Sequence, residues 1–439
     1  MHPIIKNTAR GLGLALALLA TAGLARAAGF AIYENDARGF AMANANVGRN
    51  DDASALYSNP AAITQLPGFQ IKAGITFIQP EIDVTTFGSL DGQIPAGVPV
   101  KNSLNSYTAI VPHLYMTYRI TDDIGLGLGF FVPYGLKSDF ARQPISWPGA
   151  YNNFYTDIKS YEITPTIAYR IVHDQPWAKQ ISIAAGLAAL RTDIVIKRQM
   201  LLGVNPITGG PLYSPLTLDG GTWQWGYNLA IQYEVNNQLS FGIVYRSGFK
   251  LKINDASATI DPITGGLFPG MSSNNASGKI NLPDSWSFGV NYSPIIPLNL
   301  GFQALRTNWG SYDKLTINPG FEGRPTPEPI QKQWRDVWRY CFGAEYQINN
   351  QVALRGGFVV DKDPVNPNYA DYMVPSNDRQ IFTIGAGWTI NKNVGIDIAL
   401  GYIKIKGRHI NARPADGVLE TNVHTGNAKI LSVSGNFRF

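Results

Sequence analysis

A two-residue alternation of apolar and polar side chains, recurring along most of the chain, is the strongest constraint on its fold. In "TWQWGYNLAIQYEV", Trp223, Trp225, Tyr227, Leu229, Ile231, Tyr233 and Val235 share one face. Gln224, Gly226, Asn228, Ala230, Gln232 and Glu234 share the other. Successive side chains of a strand point to opposite sides, so this segment is apolar on one side and polar or small on the other. "WRYCFGAEYQI" repeats the pattern, with Trp338, Tyr340, Phe342, Ala344, Tyr346 and Ile348 set against Arg339, Cys341, Gly343, Glu345 and Gln347. Charged residues are only 15% of the chain, against about 25% in ordinary soluble domains. With 45% hydrophobic residues, disorder is excluded.

A soluble β-sandwich alternates too, but two features favour a membrane barrel. The apolar faces carry aromatic residues near their ends, as interfacial girdles require. The connections also alternate in length. "ITDDI", "VNNQL", "INNQV" and "INKNV" are short, whereas 81–105, 199–221, 254–279, 361–379 and 407–426 read as long loops. Short inner turns and long outer loops are the expected asymmetry. Strands are predicted near 69–79, 107–119, 124–134, 159–171, 181–198, 223–235 and 239–253, then 279–292, 298–309, 335–348, 351–361, 379–390, 394–406 and 428–439. That makes about fourteen, an even number, as bacterial barrels have. The final strand "KILSVSGNFRF" alternates and ends on Phe439, the usual terminus of barrels delivered to the outer-membrane assembly machinery.

The first 27 residues read as an export signal. Lys6 and Arg10 precede the apolar "GLGLALALLATAGLA", and Ala25-Arg26-Ala27 forms a small-residue cleavage site. The apolar run is short for a spanning helix. Without this segment, 33 of the 36 Lys and Arg remain against 31 Asp and Glu, a net charge of +2. No basic run points to nucleic acid. Cys341 is the only cysteine, so no internal disulfide is possible.

A closed barrel of this size encloses more space than its own side chains fill, since about eight strands already suffice for that. Residues 28–67 precede the first strand and include "DDASALYSNPAAITQLPG", which suits neither a strand nor a long helix. They are expected inside the barrel as a hatch, with residues 68–439 forming the wall.

Asp51-Asp52-Ala53-Ser54 followed by Asn59-Pro60-Ala61 resembles the N-terminal hatch of the FadL/TodX (OmpP1) family of outer-membrane long-chain fatty acid and hydrocarbon transporters. "FVPYGLKSDF", "VYRSGFKLKI", "LPDSWSFGVNY", "TNWGSYDKL" and "WRDVWRYCFGAEYQINNQVALRGGFVVDKDPV" follow in family order. The resemblance implies an all-β fold, a 14-stranded antiparallel transmembrane barrel plugged by the hatch. It further implies a passive, gated channel of the Gram-negative outer membrane. Ligand would meet an apolar groove among the outer loops, then a pocket touching the N-terminus, and leave sideways through an opening in the third strand.

Carried over residue by residue, the resemblance makes Phe30 a pocket residue and Arg198 and Lys332 candidates for a ligand carboxylate, with Arg335 as a substitute for Lys332. A desolvated carboxylate needs such a cation. Counting by twos from Ser182 places Arg198 on the lumen side. Asp51, Asp52, Asn59 and Pro60 are candidates for holding and gating the hatch. Pro133, Tyr134 and Gly135 mark the opening, because proline cannot donate to a strand ladder and is confined to edges and bulges. Arg355 and Asp397 face the lumen by parity. Gly125, Gly127 and Gly129 read as small residues facing a filled lumen; no helix follows to make them a nucleotide loop.

Long-chain fatty acids are the expected cargo, with neutral aromatic or other hydrocarbons as the alternative. The expected partners are that hydrophobic ligand, outer-membrane lipid and lipopolysaccharide, and the barrel-assembly machinery, with no cofactor or metal and a monomeric barrel. A hydrolase on a barrel and an open porin are the rivals. No G-x-S-x-G, no H-E-x-x-H and no histidine pair at ligand spacing supports catalysis. The apolar "QMLLG" and "GGLFPGM" of the outer loops argue against a hydrophilic pore.

Overall fold

Phe69 and Phe439 close the molecule on itself: each backbone N–H donates to the other residue's carbonyl, at 3.3 and 2.8 Å. The computed structural model describes residues 29–439; the expected export signal and its cleavage site lie outside the described residues. Fourteen antiparallel strands form one closed barrel. They are β1 (Phe69–Glu81), β2 (Ala109–Arg119), β3 (Ile124–Phe131, resuming at Gly135–Asp139), β4 (Tyr155–Gln175) and β5 (Ala178–Val204). Then come β6 (Pro211–Glu234), β7 (Leu239–Arg246, resuming at Phe249–Ile260), β8 (Met271–Leu282, resuming at Ser285–Ile295) and β9 (Leu298–Thr307). The last are β10 (Val337–Gln347), β11 (Val352–Asp361), β12 (Arg379–Thr389), β13 (Val394–Ile405) and β14 (Gly426–Arg438). Strand β14 pairs with β1 from Gln70↔Arg438 to Glu81↔Asn427, which removes the free edge that a bilayer would not tolerate.

The alternation places its apolar face outside. Trp223, Trp225, Tyr227, Leu229 and Ile231 are all exposed, while Asn228, Ala230 and Gln232 are buried in the lumen. A chain of ring contacts crosses the outer wall from Tyr227 through Tyr245, Trp286, Phe288, Trp338 and Tyr340 to Phe302, with centroids 4.7 to 6.5 Å apart. Amphipathic rings prefer the interface between hydrocarbon and water, so this band marks one membrane boundary.

The short turns are built alike. The side-chain oxygen of Thr121, Asn236, Asn349 or Asn391 accepts from the backbone N–H groups two and three residues on. Such local capping is why Thr and Asn recur there. Two of the expected long loops need correction. Within 199–221, β5 runs to Val204 and β6 starts at Pro211; within 254–279, β7 runs to Ile260 and β8 starts at Met271. These stretches lie beyond the aromatic band. There neither face meets hydrocarbon, so strand pairing continues without the apolar alternation that reveals it. Outer segments 81–105 and 407–426 hold a second small sheet, made by Asp83–Phe87, Pro99–Ser103, Arg408–Ile410 and Thr421–Val423.

Within residues 29–67, both short helices and the 3₁₀ turn contact the inner wall. Helix α1 (Ala37–Ala41) lies against β12, β13 and β14, and α2 (Ala55–Ser58) leads into a 3₁₀ turn at Pro60–Gln65. Wall glycines make the bed. A side chain at Gly289 would meet Val47 Cβ at 2.6 Å, and one at Gly357 would meet Ala43 Cβ at 2.6 Å. Gly125 and Gly127 likewise face Ile63 and Leu56, in accord with the small-residue reading.

Candidate functional site

Three arrangements matter: an ionic seal under the hatch, an aromatic pocket around Phe30, and a break in the wall.

The seal centres on Lys72, fully buried on β1. Its ammonium lies 2.6 Å from Asp36, 2.9 Å from Asp52 and 3.4 Å from Asp397. Arg38 of α1 reaches Glu345 of β10 at 3.1 Å and Asp52 at 3.4 Å. Arg355 then joins Glu345 at 2.6 Å and Asp397 at 2.7 Å. Charges from α1, the loop after it and four wall strands thus form one network. Burial pushes the Asp52 carboxyl up, but Lys72 and Arg38 more than offset it and hold it well below the usual carboxylate range. Asp51 sits at the margin, half-exposed, and pairs with Arg49 at 3.1 Å and Arg38 at 3.5 Å, both within the hatch rather than on the wall.

Asn59 caps and ties at once. Its side-chain oxygen accepts from Ala61 N at 3.1 Å, which starts the 3₁₀ turn where Pro60, having no N–H, needs no acceptor. Its amide donates toward Gln232 Oε1 on β6 at 2.7 Å and the Val47 carbonyl at 2.9 Å. Arg246 of β7 donates to the Tyr57 carbonyl, and Arg170 of β4 donates to the Thr64 carbonyl at 2.8 Å.

Phe30 is buried in a cage of four rings. Trp309 is 4.8 Å from it by centroids, Trp334 5.8 Å, and Tyr312 and Tyr134 each 6.1 Å. Edge-on geometry is favoured at these separations. Three of the four rings come from the connection between β9 and β10. The Trp309 indole N–H is buried and has no acceptor among the described residues. Lys332, on the same connection, is buried against Asp371, to which its ammonium donates, and lies 3.6 Å from the Met373 sulfur. Arg335 donates its backbone N–H to the Pro364 carbonyl at 3.1 Å. Arg198 stands apart from this cage. It is opposite the buried Leu216 on the lumen face of β5, half-buried, with no ion pair among the described residues.

The break lies at Val132–Tyr134. Strand β2 pairs with β3 only from Leu114↔Phe130 to Arg119↔Gly125. Beyond the break, Gly135–Asp139 pairs with β4 alone. The two walls meet again higher up, where Asn105 N donates to the Asp139 carbonyl at 2.7 Å and the Tyr107 hydroxyl to the Lys137 carbonyl at 2.8 Å. Between these limits no ladder pair joins β2 and β3 among the described residues.

The N-terminal segment takes the place of the missing ladder on the β3 side. Gly135 N donates to the Phe30 carbonyl at 3.0 Å, Ile32 N to the Pro133 carbonyl at 2.9 Å, and Ala31 bridges Tyr134. The Asn35 side chain serves Val132 on both sides, accepting from its N–H at 3.1 Å and donating to its carbonyl at 3.0 Å. A side chain at Gly135 would meet Ile32 at 2.6 Å. A cavity of about 490 Å³ occupies the break. It runs from Phe30 and Ala31 inside to Ile110 and Tyr161, which are exposed on the outer wall. Small-molecule sites commonly fall in this size range.

The structure therefore gathers Phe30, Pro133, Tyr134 and Gly135 into one place and Asp51 and Asp52 into another, and leaves Arg198 in a third. Sequence reasoning missed Lys72, Arg38 and the Trp309–Tyr312–Trp334 cage. Lys72 carried a signal, as an ionisable residue on the lumen parity of a spanning strand. The cage did not, because its loop has no periodicity to orient it.

Residues 18–439 match the family model described as outer membrane protein transport protein (OMPP1/FadL/TodX). A long-chain fatty acid transport protein of Escherichia coli O6:H1 is 25% identical, with 98% of each chain covered. Outer membrane protein P1 of Haemophilus influenzae is 24% identical over 91% of this chain and 90% of its own. Among solved structures, a Pseudomonas aeruginosa FadL homologue superposes with a TM-score of 0.79 at 20% identity, over 94% of this chain and 100% of its own. The CymD monoaromatic hydrocarbon channel gives 0.67 at 17% identity, over 94% and 99%. These superpositions show the shared fold.

Proposed function

Since the chain belongs to the outer membrane protein transport (OMPP1/FadL/TodX) family and is thus a Gram-negative outer-membrane channel for hydrophobic compounds, not an enzyme, we propose that its cargo leaves the barrel sideways, between β2 and β3. In this reading residues 1–27 are the export signal, 28–67 the hatch and 68–439 the barrel. The observation that carries the lateral route is the cavity at the Val132–Tyr134 break, which links the Phe30 cage to lipid-facing Ile110 and Tyr161. The sealed underside supports it too, because straight passage would require parting the Lys72 network, whereas sideways exit requires only a shift of Phe30–Ile32. The gradient of a hydrophobic solute between medium and bilayer is sufficient drive.

Long-chain fatty acids are the primary cargo in this proposal. Among the described residues Arg198 has no counter-ion and the buried Trp309 N–H no acceptor, so each offers a partner to a carboxylate. A second reading, a neutral hydrocarbon, is favoured by Lys332, whose charge Asp371 already neutralises. Binding of a C16 fatty acid and of xylene by purified protein tests the choice, with Arg198→Ala beside wild type. Acid binding weakened at least tenfold by the substitution supports the fatty-acid reading. Better binding of xylene, indifferent to the substitution, contradicts it.

A further inference from the structure

Beyond the aromatic band, three neighbouring wall elements turn outward lysines that make no ion pair among the described residues. Lys250 and Lys252 stand on the outer part of β7, and Lys279 on β8. Lys314 begins the short strand Lys314–Asn318, which extends the wall beside β8. Their neighbours on the opposite parity, Leu251, Ile253, Ile280 and Leu315, are buried, so the lysines point away from the lumen and all four are exposed.

Register brings them together. Lys252 lies directly opposite Lys279, and Lys250 opposite Asn281. Lys279 in turn opposes Thr316, two residues from Lys314 on the same face. Directly opposed side chains on adjacent strands sit about 5 Å apart at Cβ, and like charges there are unfavourable. Several other outward cations on the wall are paired: Lys159 with Asp157 at 3.0 Å, Arg306 with Asp336 at 3.1 Å and Lys429 with Glu81 at 3.0 Å. None of the four lysines has an ion pair or side-chain hydrogen bond among the described residues. Asp255 and Asp313 are close in sequence and make no ion pair with them.

Height supplies the second argument. Lys250 follows Tyr245 of the band by five residues, about 16 Å along a strand and about 12 Å along the normal of a tilted barrel. Lysine stems can lie along the wall and bring the ammonium groups down toward the headgroup layer. We infer that this patch is a docking site for the phosphate groups of an outer-leaflet glycolipid, with Lys252 and Lys279 sharing one phosphate and Lys250 and Lys314 flanking it. A bound phosphate turns the Lys252–Lys279 repulsion into two charge-assisted contacts. The site faces lipid on a part of the wall remote in sequence from β2 and β3, so it is independent of the cargo route.

Native mass spectrometry of the full-length barrel in detergent tests this, with diphosphorylated lipid A and its dephosphorylated form as probes. Wild-type protein should bind the diphosphorylated form at least tenfold more tightly. Lys252→Gln/Lys279→Gln should abolish that preference, while Lys429→Gln, at an already paired site, should not. Heat-modified gel mobility and C16 fatty-acid binding should stay unchanged in both variants. Equal binding of the two lipid forms by wild type overturns the inference. So does wild-type preference in the double variant, or competition by inorganic phosphate at the lipid's own concentration.

Discussion

At the scale of single residues, Lys72 holds the hatch. One ammonium faces three carboxylates in a site closed to solvent, so removing it takes the cation from Asp36 and leaves Asp52 and Asp397 to Arg38 and Arg355 alone. Breaking such a network from one side costs about 3–5 kcal/mol. Lys72→Met should lower resistance to denaturant by that order and speed hydrogen exchange across residues 36–52, read by mass spectrometry. Asp52 gives the network a pH dependence. Its folded pKa is depressed, so its contribution is complete above the ordinary carboxylate value of about 3.9 and is lost as pH falls below it. Exchange in the hatch, corrected for intrinsic rate, should rise between pH 5 and pH 3 in wild type and change far less in Asp52→Asn. Of the acids facing Lys72, Asp52 and Asp397 were singled out in the sequence and Asp36 was not. On the seal's cationic side parity turned Arg355 inward, but the meeting of Lys72 with Asp36 and Asp397 shows only in three dimensions.

At the scale of elements, the third strand is the informative one. "FFVPYG" continues the alternation of "IGLGLG" and then loses its donor at Pro133, and the structure breaks the strand there. Asn35 and the Phe30–Ile32 segment satisfy the freed backbone. Asn35→Ala should leave the Val132 N–H and carbonyl buried and unpaired, at about 1–3 kcal/mol each. Exchange should then quicken at residues 131–135 and not in β5 or β6. Strand identity was readable wherever one face meets hydrocarbon, as in β6 and β10. It failed in the outer reaches of β5 to β8, where "QMLLGV" is strand but carries Gly and flanking polar residues typical of loops. The aromatic cage failed for a related reason: Trp309, Tyr312 and Trp334 belong to an irregular connection, where only three-dimensional placement shows which rings meet.

At the scale of the whole molecule, the β2–β3 break is where the cavity beside Phe30 reaches the outer wall. Strands β2 and β3 lose their ladder beyond Leu114↔Phe130, and there the β3 edge is covered by the hatch's own N-terminal segment. Unpaired backbone facing lipid is costly, so a break kept at this height implies a use. Closure itself was foreseeable from the alternation; the break in β3 was foreseeable only as a proline in a strand. The most direct test is uptake of radiolabelled palmitate by cells in which this protein is the sole such channel, comparing wild type with Gly135→Trp. The indole would fill the break where Ile32 and the cavity now lie, on the wall and away from the Lys72 seal. Lateral exit predicts at least a tenfold fall in uptake with the barrel still folded and abundant in the outer membrane. Undiminished uptake by that folded variant would contradict the lateral route.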